Sequence, residues 1–142
     1  MLVRIFLSLL CLFLSNESFS LENVKQEPKK ELIFELLDPN ALYPAFGAVP
    51  LCNGKIRLTN KLGAEIKKLE ISFVFKGVAI PYTFTSVSDQ AVVVRSLGMV
   101  GKGCTGLFEK PDLKIKTCEV EGTDVICDQY VRFYLDEKGQ EK

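Results

Sequence analysis

The sequence predicts an all-β protein, a small antiparallel β-sandwich held by two disulfides, and three observations carry that expectation. About seven strands are expected, and three segments, 56–58, 69–75 and 80–84, alternate apolar and polar residues with the period of a strand. Turn-forming residues separate them at roughly the 8–12-residue spacing of two-sheet sandwiches. Four cysteines follow an apolar leader, an arrangement that favours disulfide bonding in an oxidising compartment.

The leader comes first. "MLVR" supplies one positive charge, "IFLSLLCLFL" is an unbroken apolar run, and "SNESFS" places Ser18 and Ser20 where a signal peptidase needs small residues. Residues 1–20 therefore read as a signal peptide, too short and too early to span a bilayer of roughly 30 Å. Cys11 is not a lipidation site, because Leu9 and Leu10 precede it where small residues are required. No stable membrane anchor is expected after cleavage. The protein is expected in the periplasm or outside the cell.

"LENVKQEPKKE", residues 21–31, is a charged, proline-containing arm, and the β-sandwich domain is expected over 32–135. A first strand is predicted at 32–37. An irregular crossing through Pro39, Pro44 and Pro50 then leads to Cys52. "GKIRLTN" places Ile56 and Leu58 on one face, and "LEISFVF" does the same with Leu69, Ile71, Phe73 and Phe75. "IPYTFTS" alternates Ile80, Tyr82 and Phe84 with Thr83 and Thr85, with Pro81 marking an edge strand or a strand start because it has no N–H to donate. "AVVVRSL" at 91–97 adds a β-branched run, and residues 136–142 form a polar tail.

The cysteine pairing follows from "CEVEGTDVIC", residues 118–127. With Gly122-Thr123 as a two-residue type II′ hairpin loop, Val120 faces Val125 and Cys118 faces Cys127 on a non-hydrogen-bonded rung, about 4.5 Å apart at Cα. That separation admits a disulfide. Cys118 is thus expected to pair with Cys127 and Cys52 with Cys104. The same register has a conflict further out, where Val131 and Phe133 face Lys114 and Asp112. Either a bulge shifts the phase, or these strands take other partners.

Composition removes several chemistries. There is no histidine, so imidazole-based triads and His-ligated zinc are unavailable. The cysteine spacings contain no C-x-x-C zinc knuckle, and no metal or cofactor is expected. The 18 basic and 18 acidic residues balance, without the basic excess that marks nucleic-acid binding. "GKGCTG" at 101–106 fits G-x-G-x-x-G, but no helix pattern follows and Pro111 interrupts, so it is not a phosphate loop. Asp89, Asp112, Asp124 and Asp128 are carboxylates at turns or strand ends, and nothing in the sequence pairs any two of them as acid and base. No catalytic residue is assigned.

The run from Cys52 to Val87 carries Leu58-Thr59-Asn60, then Gly63, Ile66, Leu69, Ile71 and Phe75. This spacing resembles that of small immunoglobulin-like domains of bacterial envelope proteins. The resemblance covers about 40 residues and implies an immunoglobulin-like sandwich with an interaction role. The absence of tryptophan departs from antibody-type cores.

The expectation is a non-enzymatic exported protein that binds a protein partner. A secreted inhibitor or effector, or a carrier of a lipid or other apolar ligand, is the alternative. The expected contact loop spans 98–110 and includes Gly98, Gly101, Lys102, Gly103 and Phe108, its glycines allowing positive φ around Cys104.

Overall fold

The structure is a computed structural model that describes residues 27–44 and 47–135. The expected signal peptide, most of the charged arm and the polar tail lie outside the described residues. Seven strands are present: β1 (Glu31–Leu42), β2 (Leu51–Lys61), β3 (Ile66–Phe75), β4 (Val78–Val87), β5 (Val92–Val100), β6 (Asp112–Val120) and β7 (Val131–Leu135). They form a four-stranded sheet in the order β5-β2-β1-β7 and a three-stranded sheet in the order β4-β3-β6. The pairs are antiparallel except β1 with β7, which run parallel, so the antiparallel expectation is corrected at that one pair.

Strand periodicity builds the core. Leu32, Phe34 and Leu36 on β1 and Ile56 and Leu58 on β2 point inward from one sheet, against Leu69, Ile71, Phe73 and Phe75 on β3 and Phe84 on β4 from the other. Phe34 meets Phe73 edge-on with ring centroids 5.2 Å apart, and Phe73 also packs on Phe133 of β7 at 6.0 Å. Edge-on contacts of this kind add to the burial of the rings. The first strand is longer than its apolar pattern suggested, because a bulge at Asp38-Pro39 carries the pairing with β2 on to Leu42. Pro81 lies on β4, an edge of the smaller sheet, as its missing N–H requires.

The phase conflict beyond the cysteines is resolved in both foreseen ways. Lys116 is an extra residue in β6 and Lys67 an extra residue in β3, so Leu113 and Ile115 share an inner face with Cys118 and Val120 despite the odd spacing. Beyond the bridge, β7 leaves β6 and pairs with β1, setting Phe34 beside Phe133. The hairpin itself is a correction. Val120 bridges Thr123 rather than Val125, Gly122 takes a positive φ of 69°, and Cys127 opens a short 3₁₀ turn, Cys127–Gln129. The two disulfides are nonetheless Cys52–Cys104 and Cys118–Cys127, with Cα separations of 5.5 and 6.3 Å. Cys118 is therefore bridged to a turn rather than across a ladder rung.

Among the described residues, Asn60, at the end of β2, is the one buried polar side chain of the core and is fully enclosed. Its Nδ2 lies 2.9 Å from the carbonyls of Ala64 and Val87 and 3.1 Å from that of Ser88, and its Oδ1 accepts the Leu62 N–H at 3.0 Å. One side chain thus ties the β2–β3 turn to the β4–β5 turn. Asp89 reinforces the junction by accepting the Gly63 N–H at 2.9 Å.

Candidate interaction surface

The end of the sandwich at the Cys52–Cys104 bridge combines rigidity with exposed apolar surface. After β5 the chain turns at Gly101, whose φ of 74° is accessible to glycine and whose N–H donates to the Pro50 carbonyl at 2.8 Å. A 3₁₀ helix, Gly101–Gly106, follows and carries Cys104, which is fully buried. The expected contact loop is thus a strand end followed by a helical turn. Among its glycines only Gly101 has a positive φ, which corrects the reason given for the others. Gly103 and Gly106 are needed for close approach. A Cβ on Gly103 would sit 2.9 Å from Met99 Sδ and 3.2 Å from Val78 Cβ, and one on Gly106 would sit 2.7 Å from Lys76 Cγ.

Of the expected contact residues, Gly98 lies exposed on β5, Lys102 is exposed on the 3₁₀ helix, Gly103 is buried, and Phe108 is 39% exposed after the helix. The larger apolar surface lies beside them. Leu42 of β1 pairs with Leu51 of β2, and Leu51 pairs with Val100 of β5. These three neighbours on the outer face are 60, 50 and 60% exposed, and Val49 and Tyr43 nearby are exposed as well. They border an open hollow of about 510 Å³ that also includes Asn40 and Asn53. This row was missed from sequence, where the segment from Leu42 to Leu51 read as an irregular crossing. The pairing of Leu42 and Leu51 on one rung, invisible without the β1 bulge, is what aligns them.

A second, smaller hollow of about 180 Å³ lies beside Glu70, Tyr82 and Lys116 on the three-stranded sheet. Lys68 hydrogen-bonds the Glu70 carboxyl at 2.9 Å and the Thr117 hydroxyl donates to it at 3.0 Å, and these contacts hold it below the usual carboxylate range against the opposing effect of burial. Burial pushes the Tyr82 phenol up to about 12, and its hydroxyl donates to the Ser96 carbonyl of β5 at 2.9 Å. Both shifts keep each group in its usual form at neutral pH, Glu70 ionised and Tyr82 protonated. The four aspartates singled out from sequence occupy separate connections or strand starts: Asp89 caps a turn, Asp112 opens β6, Asp124 follows the Val120–Thr123 bridge and Asp128 sits in the second 3₁₀ turn. Among the described residues, no group of acidic or cysteine side chains is placed to hold a metal ion, and no helix is long and apolar enough to cross a membrane.

The Tyr82 shift has a measurable consequence. Its folded-state pKa is raised above the ordinary value of 10.0, so its contribution to stability is complete below about pH 10 and is lost as the pH climbs through about 12. Absorbance titration of the phenols should show one ionising near pH 12, and Tyr82→Phe should remove that step. Persistence of the step in the variant would contradict the assignment.

Comparison with known proteins brings no relative to bear: no family model matches the chain, and no similar curated protein or solved structure was found.

Proposed function

We propose that the protein is an exported, non-enzymatic β-sandwich that binds a protein partner in the periplasm or outside the cell. The observation that carries this reading is the exposed row Leu42–Leu51–Val100, held on a sheet end that the Cys52–Cys104 bridge pins in place. A contiguous apolar surface presented on a rigid support is the usual form of a protein-recognition site. Two disulfides support export, because such bonds persist in oxidising compartments.

An immunoglobulin-like assignment draws support from the adjacency of β1 with β2, β2 with β5, and β3 with β6, the neighbours expected of the A, B, E, C and F strands of that fold. The last strand departs from it by joining β1 instead of β6. The inhibitor or effector reading gains from the same rigid end, which would present Lys102 and Phe108 to an enzyme. An apolar-ligand carrier has less support, since Phe34, Phe73, Phe84 and Phe133 fill the space between the sheets with contacting rings.

The test is Leu51→Glu in a crosslinking capture from the envelope fraction and from culture medium. The variant should retain the wild-type thermal transition, because Leu51 is half exposed, and should lose at least about tenfold in partner recovery. Undiminished recovery by the variant would remove this surface from the reading. Absence of any partner in both fractions would remove the function itself.

A further inference from the structure

We propose that β5 pairs antiparallel with the β5 of a second copy of this chain, about a two-fold axis at Ser96, joining the two four-stranded sheets into one. The inference starts from the four sheet edges, three of which carry a feature that discourages further pairing. β7 has five described residues and carries the charge of Arg132. β4 contains Pro81 and a positive φ at Ser86, and β6 is interrupted by the Lys116 bulge with Lys114 beside it. Short strands, proline, bulges and lysines are the devices by which edges avoid adding strands. β5 has nine residues, no proline, and a register with β2 that runs unbroken from Val92 to Val100. Its one charge, Arg95, is exposed; its guanidinium lies 5.8 Å from the Phe84 ring and donates to the Val94 carbonyl of its own strand at 3.3 Å.

The direction of the free backbone groups is fixed by the two ends of the ladder. Gly101 donates to the Pro50 carbonyl and Asn60 donates to the Ala91 carbonyl, so the odd-numbered residues of β5 bond to β2. The N–H and C=O groups of Val92, Val94, Ser96, Gly98 and Val100 therefore face away from the sheet. The Ser96 carbonyl accepts from Tyr82 and the Val94 carbonyl from Arg95, and each oxygen retains a second lone pair.

These five residues are self-complementary about Ser96. Antiparallel pairing there sets Val92 against Val100 of the second copy, Val94 against Gly98, and Ser96 against itself, so that every outward N–H meets an outward C=O. On the outer face, Val92, Val94 and Val100 are 56, 45 and 60% exposed, which is unusual for three valines on one strand. Pairing would cover all three. Nothing lies within 4 Å of a Cβ built on Gly98, so the Val94 of the second copy would have room to cover that bare backbone. The row Leu42–Leu51–Val100 would also gain a fourth member, the second copy's Val92. On the inner face Arg95 would meet Leu97 and Val93 would meet Met99, so no two like charges stand directly opposite.

This inference shares Val100 with the recognition row but rests on the outward backbone of β5, so Leu51→Glu and the Ser96 variants test the two readings separately. One strand edge makes a small interface, so the dimer is expected to be weak and concentration-dependent. The test is sedimentation equilibrium on protein expressed from the full sequence and purified with both disulfides formed. The wild type should show a monomer–dimer equilibrium. Ser96→Lys and Ser96→Glu, each placing like charges face to face on the axis, should each weaken it at least about tenfold, and an equimolar mixture of the two should recover it as a heterodimer. Hydrogen exchange on the unmodified protein provides a readout free of mutation: the amides of Val92, Val94, Ser96, Gly98 and Val100 should slow as concentration rises. A wild type that stays monomeric at several hundred micromolar, a dimer indifferent to both charges, or amides that ignore concentration would overturn the proposal.

Discussion

Replacing Asn60 with alanine should destabilise the domain by about 3 kcal/mol or more, the scale reached when several buried polar groups lose their partner together. The side chain is fully buried and serves the carbonyls of Ala64, Val87 and Ser88 and the N–H of Leu62. Alanine removes all four bonds in a fully enclosed site, although the Ser88 carbonyl keeps the Ala91 N–H at 3.1 Å. Asn60→Asp separates geometry from chemistry, since it keeps the shape but turns an amide donor toward three carbonyl oxygens into an acceptor. Its carboxyl should be driven to stay protonated. The variant should therefore be most stable in acid and should lose stability as the pH rises through that raised pKa. Urea unfolding of both variants across pH checks this. An alanine variant within about 1 kcal/mol of wild type would show that the two turns hold without Asn60.

Removing the Cys52–Cys104 bridge by double alanine substitution should cost about 4 kcal/mol, against roughly 2.7 kcal/mol for Cys118–Cys127, from the loops each closes in the unfolded chain. Their sequence separations are 52 and 9. Burial adds a smaller contrast in the same direction: Cys52 and Cys104 are both buried and the 3₁₀ helix packs against Met99 and Val78, whereas in the second bridge Cys127 is buried but Cys118 only partly so. The first loss is a large share of the roughly 5–15 kcal/mol typical of a domain. Thermal or denaturant unfolding of the two double variants under one set of conditions gives the ranking. A larger loss from Cys118–Cys127 would mean that loop entropy is not the controlling factor.

The strands were legible because burial on one face leaves a period-two signature. Ile56, Leu58, Leu69, Ile71, Phe73, Phe75 and Phe84 are all buried where alternation placed them. The disulfide partners were also legible, although the reason differed. Cys118 and Cys127 were joined through an expected ladder, whereas the structure brings them together through a turn. Two residues closing a ten-residue segment are near each other under either geometry, which is why the pairing survived the wrong register.

What escaped the sequence was long-range. That β7 pairs with β1 follows from Phe133 finding Phe34 and Phe73, and no local pattern encodes it. The bulges at Lys67 and Lys116 registered only as a phase conflict, since one extra residue leaves no mark of its own. Asn60 read as an ordinary strand-ending polar residue, because its burial depends on a turn some 28 residues away. For the same reason, the glycines after β5 looked like freedom of φ when their main use is to let Met99, Val78 and Lys76 come close.

The parallel pair sets an order of events for the growing chain. Leu32 lies beside Val131 and Leu36 beside Leu135, so the first strand acquires its second neighbour only from β7, far later in the chain. Until residue 135 is available, β1 has one bare flank and Phe73 lacks the ring of Phe133. Six of the described strands can be drafted before it, but the second flank of β1 waits for β7. A chain stopped short of β7 should therefore betray itself through an open, hydrophobic flank, the kind of surface that chaperones and proteases read as incompleteness.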